Sequence, residues 1–335
     1  EAAWRDPVWK AAAAEREEDQ DRIFHFMKKI VILFISILLL CGCTSKNNIN
    51  IEKYDMFYMD TYIEVKLYDV TKEESSNIFK NIDNIFSEYH KLSDRYNAYD
   101  DIKNIYYLNN ELDEKEVTID SKLSEMIKFG LDMYDFTDGY INIALGNVID
   151  VWKEYRENEN GVPGLFELST SGSVDINDVS LVNNVYKKSN GVKLDLGAYA
   201  KGFVTEKVGE YLESIGYKKY LINAGGNVKV GSKYKSDSYL VGLEEPFNTS
   251  NIYKKILVEN ESIVTSGSYQ RYYIYNDINY NHIINPKTLY PENYTKSVTI
   301  ITKDSKYADI LSTYMFLIPI EDGIKKIDEL DGVEA

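Results

Sequence analysis

The chain has 335 residues, a formal net charge of -16 and 44% apolar residues. That length allows one large domain or two small ones, and the composition is that of a globular protein. An acidic chain repels a phosphate backbone, which excludes nucleic acid as the expected partner.

The first 26 residues differ in composition from the rest of the chain. They hold Trp4 and Trp9, two of the three tryptophans, and the alanine run Ala11 to Ala14. Residues 1–26 therefore read as an upstream extension and are set aside from the fold. Met27 begins a secretory pattern: Lys28 and Lys29, then an apolar run from Ile30 to Leu40 broken only by Ser36. A membrane-spanning helix needs about 20 apolar residues, so this run is too short and residues 27–42 read as a signal peptide. It ends in Leu40-Cys41-Gly42-Cys43, which resembles the lipobox of bacterial lipoproteins. The resemblance implies lipidation of Cys43 and a cell-membrane anchor facing outside the cytoplasm. Cys41 would leave with the signal, so the mature chain would have no disulfide to form. Residues 43–52 read as a polar tether, and 53–335 as the folded domain.

Residues 56–68 alternate apolar and polar side chains, as a half-buried strand does. Residues 73–91 carry Ile78, Phe79, Ile82, Ile85, Phe86 and Tyr89 at helical spacing. Residues 121–134 predict a second amphipathic helix. Residues 158–178, rich in Gly, Ser, Asn and Glu, predict a long surface loop. A strand over 192–196 is expected to run into a glycine turn, with a helix over 203–215. Short strands are expected at 220–223 and 227–230, around Gly225-Gly226, and several more over 239–301. Residues 305–316 predict a helix, and 324–330 a short amphipathic one. Residues 332–335 read as the start of a strand with no closing turn, so the domain reads as cut short there. Helices and strands mix without a regular βαβ rhythm, which predicts an α+β fold.

Asp309 and Thr313 are four apart on the helix over 305–316, so both oxygens lie on one face. Hard oxygen ligands at that spacing suit Mg2+. A phosphate-bearing cofactor handled by a divalent ion is the chemistry this predicts. The run Asp195-Leu196-Gly197-Ala198-Tyr199-Ala200-Lys201-Gly202 opens a helix whose free N–H groups suit an anion, and Lys201 adds a point charge. The P-loop spacing is absent. Gly225 and Gly226 let the backbone approach a ligand closely. Thr265, Ser266 and Gly267 offer hydroxyl and amide donors. His282 is one of three histidines, and the Asn285-Pro286 turn after it would hold the imidazole at a site edge. Each feature also has a plain account: a strand–helix turn with a solvated lysine, a simple glycine turn, a structural histidine, a threonine bonded back along its helix. Their joint occurrence in one order points to function.

That ordered set resembles the ApbE family, the FAD:protein FMN transferases, from about residue 56 to the end. The matching stretches are F-Y-M-D-T at Phe57, T-D-G-Y-I-N-I-A-L-G-N-V-I-D-V-W ending at Trp152, D-L-G-A-Y-A-K-G at Asp195, I-N-A-G-G-N at Ile222, V-T-S-G-S-Y at Val264, H-I-I-N-P-K-T at His282 and A-D-I-L-S-T at Ala308. The resemblance implies an α+β, T-fold-related single catalytic domain with mixed or antiparallel sheets and packed helices. It implies Mg2+-dependent cleavage of FAD, with FMN moved onto a Thr or Ser hydroxyl of an acceptor flavoprotein and AMP released. That acceptor would be an FMN-binding subunit of an electron-transport complex or an extracellular flavoprotein. By resemblance, Asp309, Thr313 and the Ala198 carbonyl match the metal ligands. Met59 and Tyr89 match the residues on the two flavin faces. Asp195, Lys201, Gly225, Gly226, Thr265, Ser266, Gly267 and His282 line the cofactor. His282 has a pKa range suited to taking the hydroxyl proton, and Asp309 is the other candidate base.

The chain departs from the family pattern at three places. Asn285 and Asn227 stand where an Asp is usual, and Leu289 stands where a Gly is usual. Two other readings stay open at this point: an FAD pyrophosphatase giving FMN and AMP, and a flavin-binding lipoprotein without catalysis.

Overall fold

The alternation expected over residues 56–68 belongs to two strands. β1 (Ile51–Tyr58) and β2 (Thr61–Tyr68) pair antiparallel, with Tyr58 opposite Thr61, so Met59 and Asp60 alone form the turn. The computed structural model describes residues 50–112, 116–232 and 238–335. The extension, the signal and Cys43 lie outside the described residues. Ile51 and Glu52, expected in the tether, are already strand.

β2 buries Ile63, Val65 and Leu67 completely and turns Glu64 and Lys66 outward. Burying each such side chain contributes about 1.5–3 kcal/mol, which fixes the face and so the register. β3 (Val117–Thr118), β4 (Val179–Val182) and β5 (Val185–Lys188) form a separate antiparallel sheet, while β6 (Tyr220–Ala224), β7 (Asn227–Val230), β10 (Ser262–Gly267), β13 (Ser297–Thr302) and β14 (Val333–Glu334) extend the first sheet in the order β1-β2-β6-β7-β10-β13-β14. Every neighbouring pair is antiparallel.

Helices cover the buried face. α1 (Lys72–Ser93) starts at a capping box in which Thr71 and Glu74 satisfy each other's backbone N–H groups. It buries Phe79, Ile82, Phe86 and Tyr89, and packs on β1 and on α6 (Ala200–Ser214). α7 (Ser305–Phe316) lies against α6, β10 and β13. Between α1 and α6 run α2 (Ile105–Asn110), α3 (Ser121–Phe136), α4 (Gly146–Asn158) and α5 (Leu165–Thr170); α8 (Ile320–Asp328) comes after α7. The architecture is the expected α+β arrangement of antiparallel sheets and packed helices.

Three expectations change. Residues 158–178 are not one surface loop, because they contain α5, whose Leu168 is fully buried, and a 3-10 turn at Ile176–Asp178. Residues 192–196 form no strand: only Lys193 makes a bridge, parallel to Leu145. Leu194 is instead tied by its backbone to the buried Asn109 side chain. The helix expected over 203–215 begins at Ala200, which puts Lys201 and Gly202 in its first turn. Among the described residues, no helix is long and apolar enough to cross a membrane.

Two smaller antiparallel pairs are separate from the main sheet, β8 (Tyr239–Glu245) with β9 (Asn248–Val258) and β11 (Tyr272–Tyr275) with β12 (Ile278–Asn281). A second apolar cluster anchors the latter. Trp152 of α4 stacks on Tyr280, which stacks on Tyr273, at centroid distances of 5.8 and 5.4 Å. Trp152 also donates to the Leu289 carbonyl at 2.8 Å. The segment carrying His282 is thus pinned on both sides.

Candidate active site

The site is assembled where α6 and α7 meet. Gly202 makes the approach possible, since a Cβ there would lie 2.4 Å from the Ser305 carbonyl and 2.5 Å from Asp309 Cβ. With no side chain in the way, the Gly202 N–H donates to Asp309 Oδ2 at 2.8 Å. The carboxylate thereby caps the N-terminus of α6, where the helix dipole favours a negative charge. Asp309 is only 3% exposed. Burial pushes its carboxyl above the ordinary value, against the pull of Lys201, the Gly202 amide and Asn227. Lys201 Nζ stands 4.0 Å from Asp309 Oδ1.

One turn along α7, Thr313 Oγ1 lies 3.3 Å from the Asp309 carbonyl and 3.4 Å from the Ala198 carbonyl. Ser266 Oγ of β10 sits 3.3 Å from Thr313 Oγ1 and 2.7 Å from Ser312 Oγ. Ala198, Asp309, Thr313 and Ser266 thus converge from three elements. Thr265 points the other way, to Thr299 Oγ1 at 2.8 Å, because adjacent strand residues face opposite sides. Gly267 is covered by the Tyr269 ring.

The glycine turn and the β1–β2 turn meet beside this group. Gly225 and Gly226 have φ of 61° and 90°. A Cβ on Gly225 would fall 2.0 Å from Thr61 Oγ1. Gly226 accepts from the Thr265 amide at 3.4 Å. Met59 sits at the neighbouring turn, its N–H donating to His90 Nδ1 at 3.3 Å.

His282 completes the cluster. Its Nδ1 lies 3.2 Å from the Arg271 carbonyl, which only accepts, so Nδ1 carries the proton and Nε2 is the basic nitrogen. The ring is half-buried in surface terms yet enclosed by protein on most sides. Desolvation, with Arg271, Lys201 and Arg156 nearby, pushes its pKa down to about 3.

One expected site residue stands elsewhere. Tyr89 does not reach the Met59 turn: it is 4% exposed, in the core, with its ring 5.9 Å from that of Phe203. One residue further on the helix rotates the side chain outward, so His90, with Tyr58 at 5.6 Å, faces the turn instead. Asp195 lies in the turn before α6, where each carboxylate oxygen has one donor. Arg95 Nη1 donates to it at 2.7 Å, and the Gly197 amide donates to it at 2.8 Å. Its work is to shape the turn that presents Ala198.

The ApbE family's sequence profile matches residues 59–335. The chain belongs to the ApbE family. It is 27% identical to an FAD:protein FMN transferase of Klebsiella pneumoniae over 84% of this chain and 87% of that one. It is 25% identical to one of Treponema pallidum over 90% and 89%. Among solved structures it matches the ApbE protein of Thermotoga maritima with a TM-score of 0.75 and 23% identity, covering 84% of this chain and 91% of that one. It also matches the flavin transferase ApbE of Vibrio cholerae with a TM-score of 0.73 and 20% identity, covering 85% and 92%.

The departures from the ApbE pattern have local structural accounts. Asn285 Oδ1 accepts from the Lys287 amide at 2.8 Å, as an aspartate would, while Nδ2 donates to Glu292 Oε1 at 2.8 Å. An aspartate here would face a second carboxylate. Leu289 adopts φ 65°, the left-handed conformation a glycine supplies freely, and its carbonyl is held by Trp152. Asn227 Oδ1 accepts from Ser305 Oγ at 2.6 Å. Its buried amide nitrogen favours the charged form of Asp309 without a hydrogen bond of full geometry.

Sequence reasoning missed Arg95, His90, Arg271 and Ser312. Arg95, Arg156 and Arg271 are the only arginines after residue 26 in a lysine-rich chain, a scarcity that marks sites needing several fixed donors. Arg95, buried, holds Asp195, Asp150 and the Gly146 carbonyl together.

Proposed function

We propose that this ApbE-family chain is a Mg2+-dependent FAD:protein FMN transferase, tethered to the outer side of the cell membrane through lipidated Cys43. The carrying observation is the convergence of the Ala198 carbonyl, Asp309 and Thr313 beside Lys201 and His282. An all-oxygen set of this kind suits Mg2+, which takes its remaining ligands from water and substrate phosphates. Mg2+ held there would neutralise charge on the diphosphate as its linkage opens.

The chain's own groups do the rest. Asp309 is oriented by the Gly202 amide, and Lys201 adds positive charge toward the phosphates. The acceptor's Thr or Ser oxygen bonds to the phosphorus on the FMN side. The bond from that phosphorus to the oxygen of AMP breaks, and AMP leaves. The hydroxyl proton passes to Nε2 of His282, the free nitrogen of a neutral ring; the low basicity imposed on it in the ligand-free chain would be offset by the negative charge of a bound diphosphate. The Gly225-Gly226 turn and the Met59 turn border the space beside these groups.

The test is incubation with FAD, Mg2+ and a flavin-acceptor domain, with mass analysis of AMP, FMN and the acceptor. Covalently labelled acceptor and stoichiometric AMP are the expected products. No label with any divalent ion would sink the reading. AMP and free FMN at the same rate without acceptor would make it a pyrophosphatase instead. An acylated Cys43 in membrane extracts tests the tether.

A further inference from the structure

The turn that presents Met59 is where sequence and backbone disagree. Among the described residues, three other two-residue hairpin loops at positive φ are built from Asn183-Asn184, Gly225-Gly226 and Asn276-Asp277. Those residue types tolerate the left-handed region. Met59-Asp60 adopts the same conformation, at φ 54° and 55°. Methionine has no side-chain group that bonds its own backbone there, so the conformation has to be held from outside.

Two contacts hold it. From α1, His90 Nδ1 accepts the Met59 N–H. From the opposite side, the Arg271 guanidinium donates to the Asp60 carbonyl at 3.0 Å and pairs with the Asp60 carboxylate at 2.9 Å. The same residue's carbonyl fixes His282 through Nδ1. Arg271 therefore grips the Met59 turn with its side chain and the histidine with its main chain.

We propose that Arg271 is a positioning residue, a clasp that holds the Met59 turn in register with His282 before substrate arrives. Its consequence for flavin binding rests on the flavin-transfer reading; its geometry does not. When the clasp is lost, the share of molecules with a formed turn falls, and apparent affinity falls with it. The pair is 47% and 79% exposed in its side chains, so the effect is moderate. Weak surface pairing reinforced by a second charge-assisted bond sets it at roughly 3- to 10-fold in the Kd for FAD.

Arg271→Ala, Arg271→Lys, Asp60→Asn, the double variant Arg271→Ala/Asp60→Asn and the swapped pair Asp60→Arg/Arg271→Asp are compared in three measurements. Amide hydrogen exchange over residues 57–62 without ligand reads the clasp itself. Flavin fluorescence quenching in EDTA reads FAD binding without turnover. FMN transfer with Mg2+ reads KM, kcat and the pH profile. Exchange is expected to quicken in Arg271→Ala and Asp60→Asn, and Kd and KM for FAD to rise together. The loss falls on KM rather than kcat, and any movement of the pH profile in Arg271→Ala is upward, because a charge that helps lower His282 is removed while the Arg271 carbonyl remains. Arg271→Lys and the swapped pair recover part of the loss. Unchanged exchange and Kd in Arg271→Ala overturn the clasp. Losses that simply add in the double variant overturn it too, since one shared contact is lost only once. A wild-type protein that transfers no FMN removes the flavin-transfer reading while the exchange result still decides the clasp.

Discussion

At His282 the surroundings set the protonation state before any substrate binds. Desolvation and the charges of Arg271, Lys201 and Arg156 push the ring down to about 3 from its ordinary 6.5. The folded protein therefore prefers the neutral ring, and stability from this group is lost as pH falls below 6.5. Between pH 5 and 8 the base is already deprotonated, and kcat/KM for transfer is expected to show no acid limb near 6.5 on its account. A limb there that vanishes in His282→Gln would mean an ordinary solvated histidine. Leu289 poses a backbone question at the same scale. Its left-handed φ costs about 1–2 kcal/mol for an L residue. Leu289→Gly relieves that while losing some packing, so its urea stability is expected within about 1 kcal/mol of wild type. Leu289→Val adds β-branching to a backbone that already disfavours a side chain, and is expected to cost about 2 kcal/mol or more. Equal losses in the two variants would remove strain as the account of this position.

At the scale of elements, the α6–α7 contact decides whether the oxygens meet. Gly202→Ala places a methyl against the Ser305 carbonyl and Asp309 Cβ. Overpacking of this kind costs about 1–3 kcal/mol, and here the strain falls on the residue that carries the carboxylate. A lower Tm and a higher Mg2+ concentration for half-maximal transfer are expected; an unaltered Mg2+ dependence would show that the helices adjust without moving Asp309. Helices α1, α3, α6, α7 and α8 were legible; α2, α4 and α5 were not. The repeats in 73–91 and 121–134 each bury one stripe, and such stripes leave a period in the sequence, whereas α7 is buried on nearly every side. The β1–β2 turn was not, because Met59 carries no turn signal and the alternation runs through it. The 192–196 stretch misled for the opposite reason: its apolar residues are buried by helices and loops, not by ladder partners. Asp309, Thr313 and Ala198 could be placed from motif order. Tyr89 could not, since only packing tells which of two adjacent helix residues faces the core.

Across the whole molecule, the site draws on residues 59–60, 198–202, 225–226, 266–271, 282 and 309–313, brought to one place by the sheet order and the α6–α7 contact. Ligand binding there should therefore register as global stability. Without a cation, burial holds the Asp309 carboxyl above its ordinary range. The folded state then binds more protons than the unfolded one above the ordinary carboxylate range. In EDTA, stability is expected to fall as pH rises through that range. At the proposed site Mg2+ would reverse that preference by binding the ionised form only when folded. At about 100 times its Kd this stabilises by roughly 2.7 kcal/mol, or about 5 °C in Tm for a chain of this size. Asp309→Asn removes both effects at once. In EDTA its Tm is expected to match or exceed that of wild type, its Mg2+ shift to disappear, and its transfer rate to fall by roughly 100-fold or more. Thermal melts of both proteins with EDTA, with Mg2+ and with Mg2+ plus FAD decide it. An undiminished Mg2+ shift in Asp309→Asn would place the stabilising ion somewhere other than between α6 and α7.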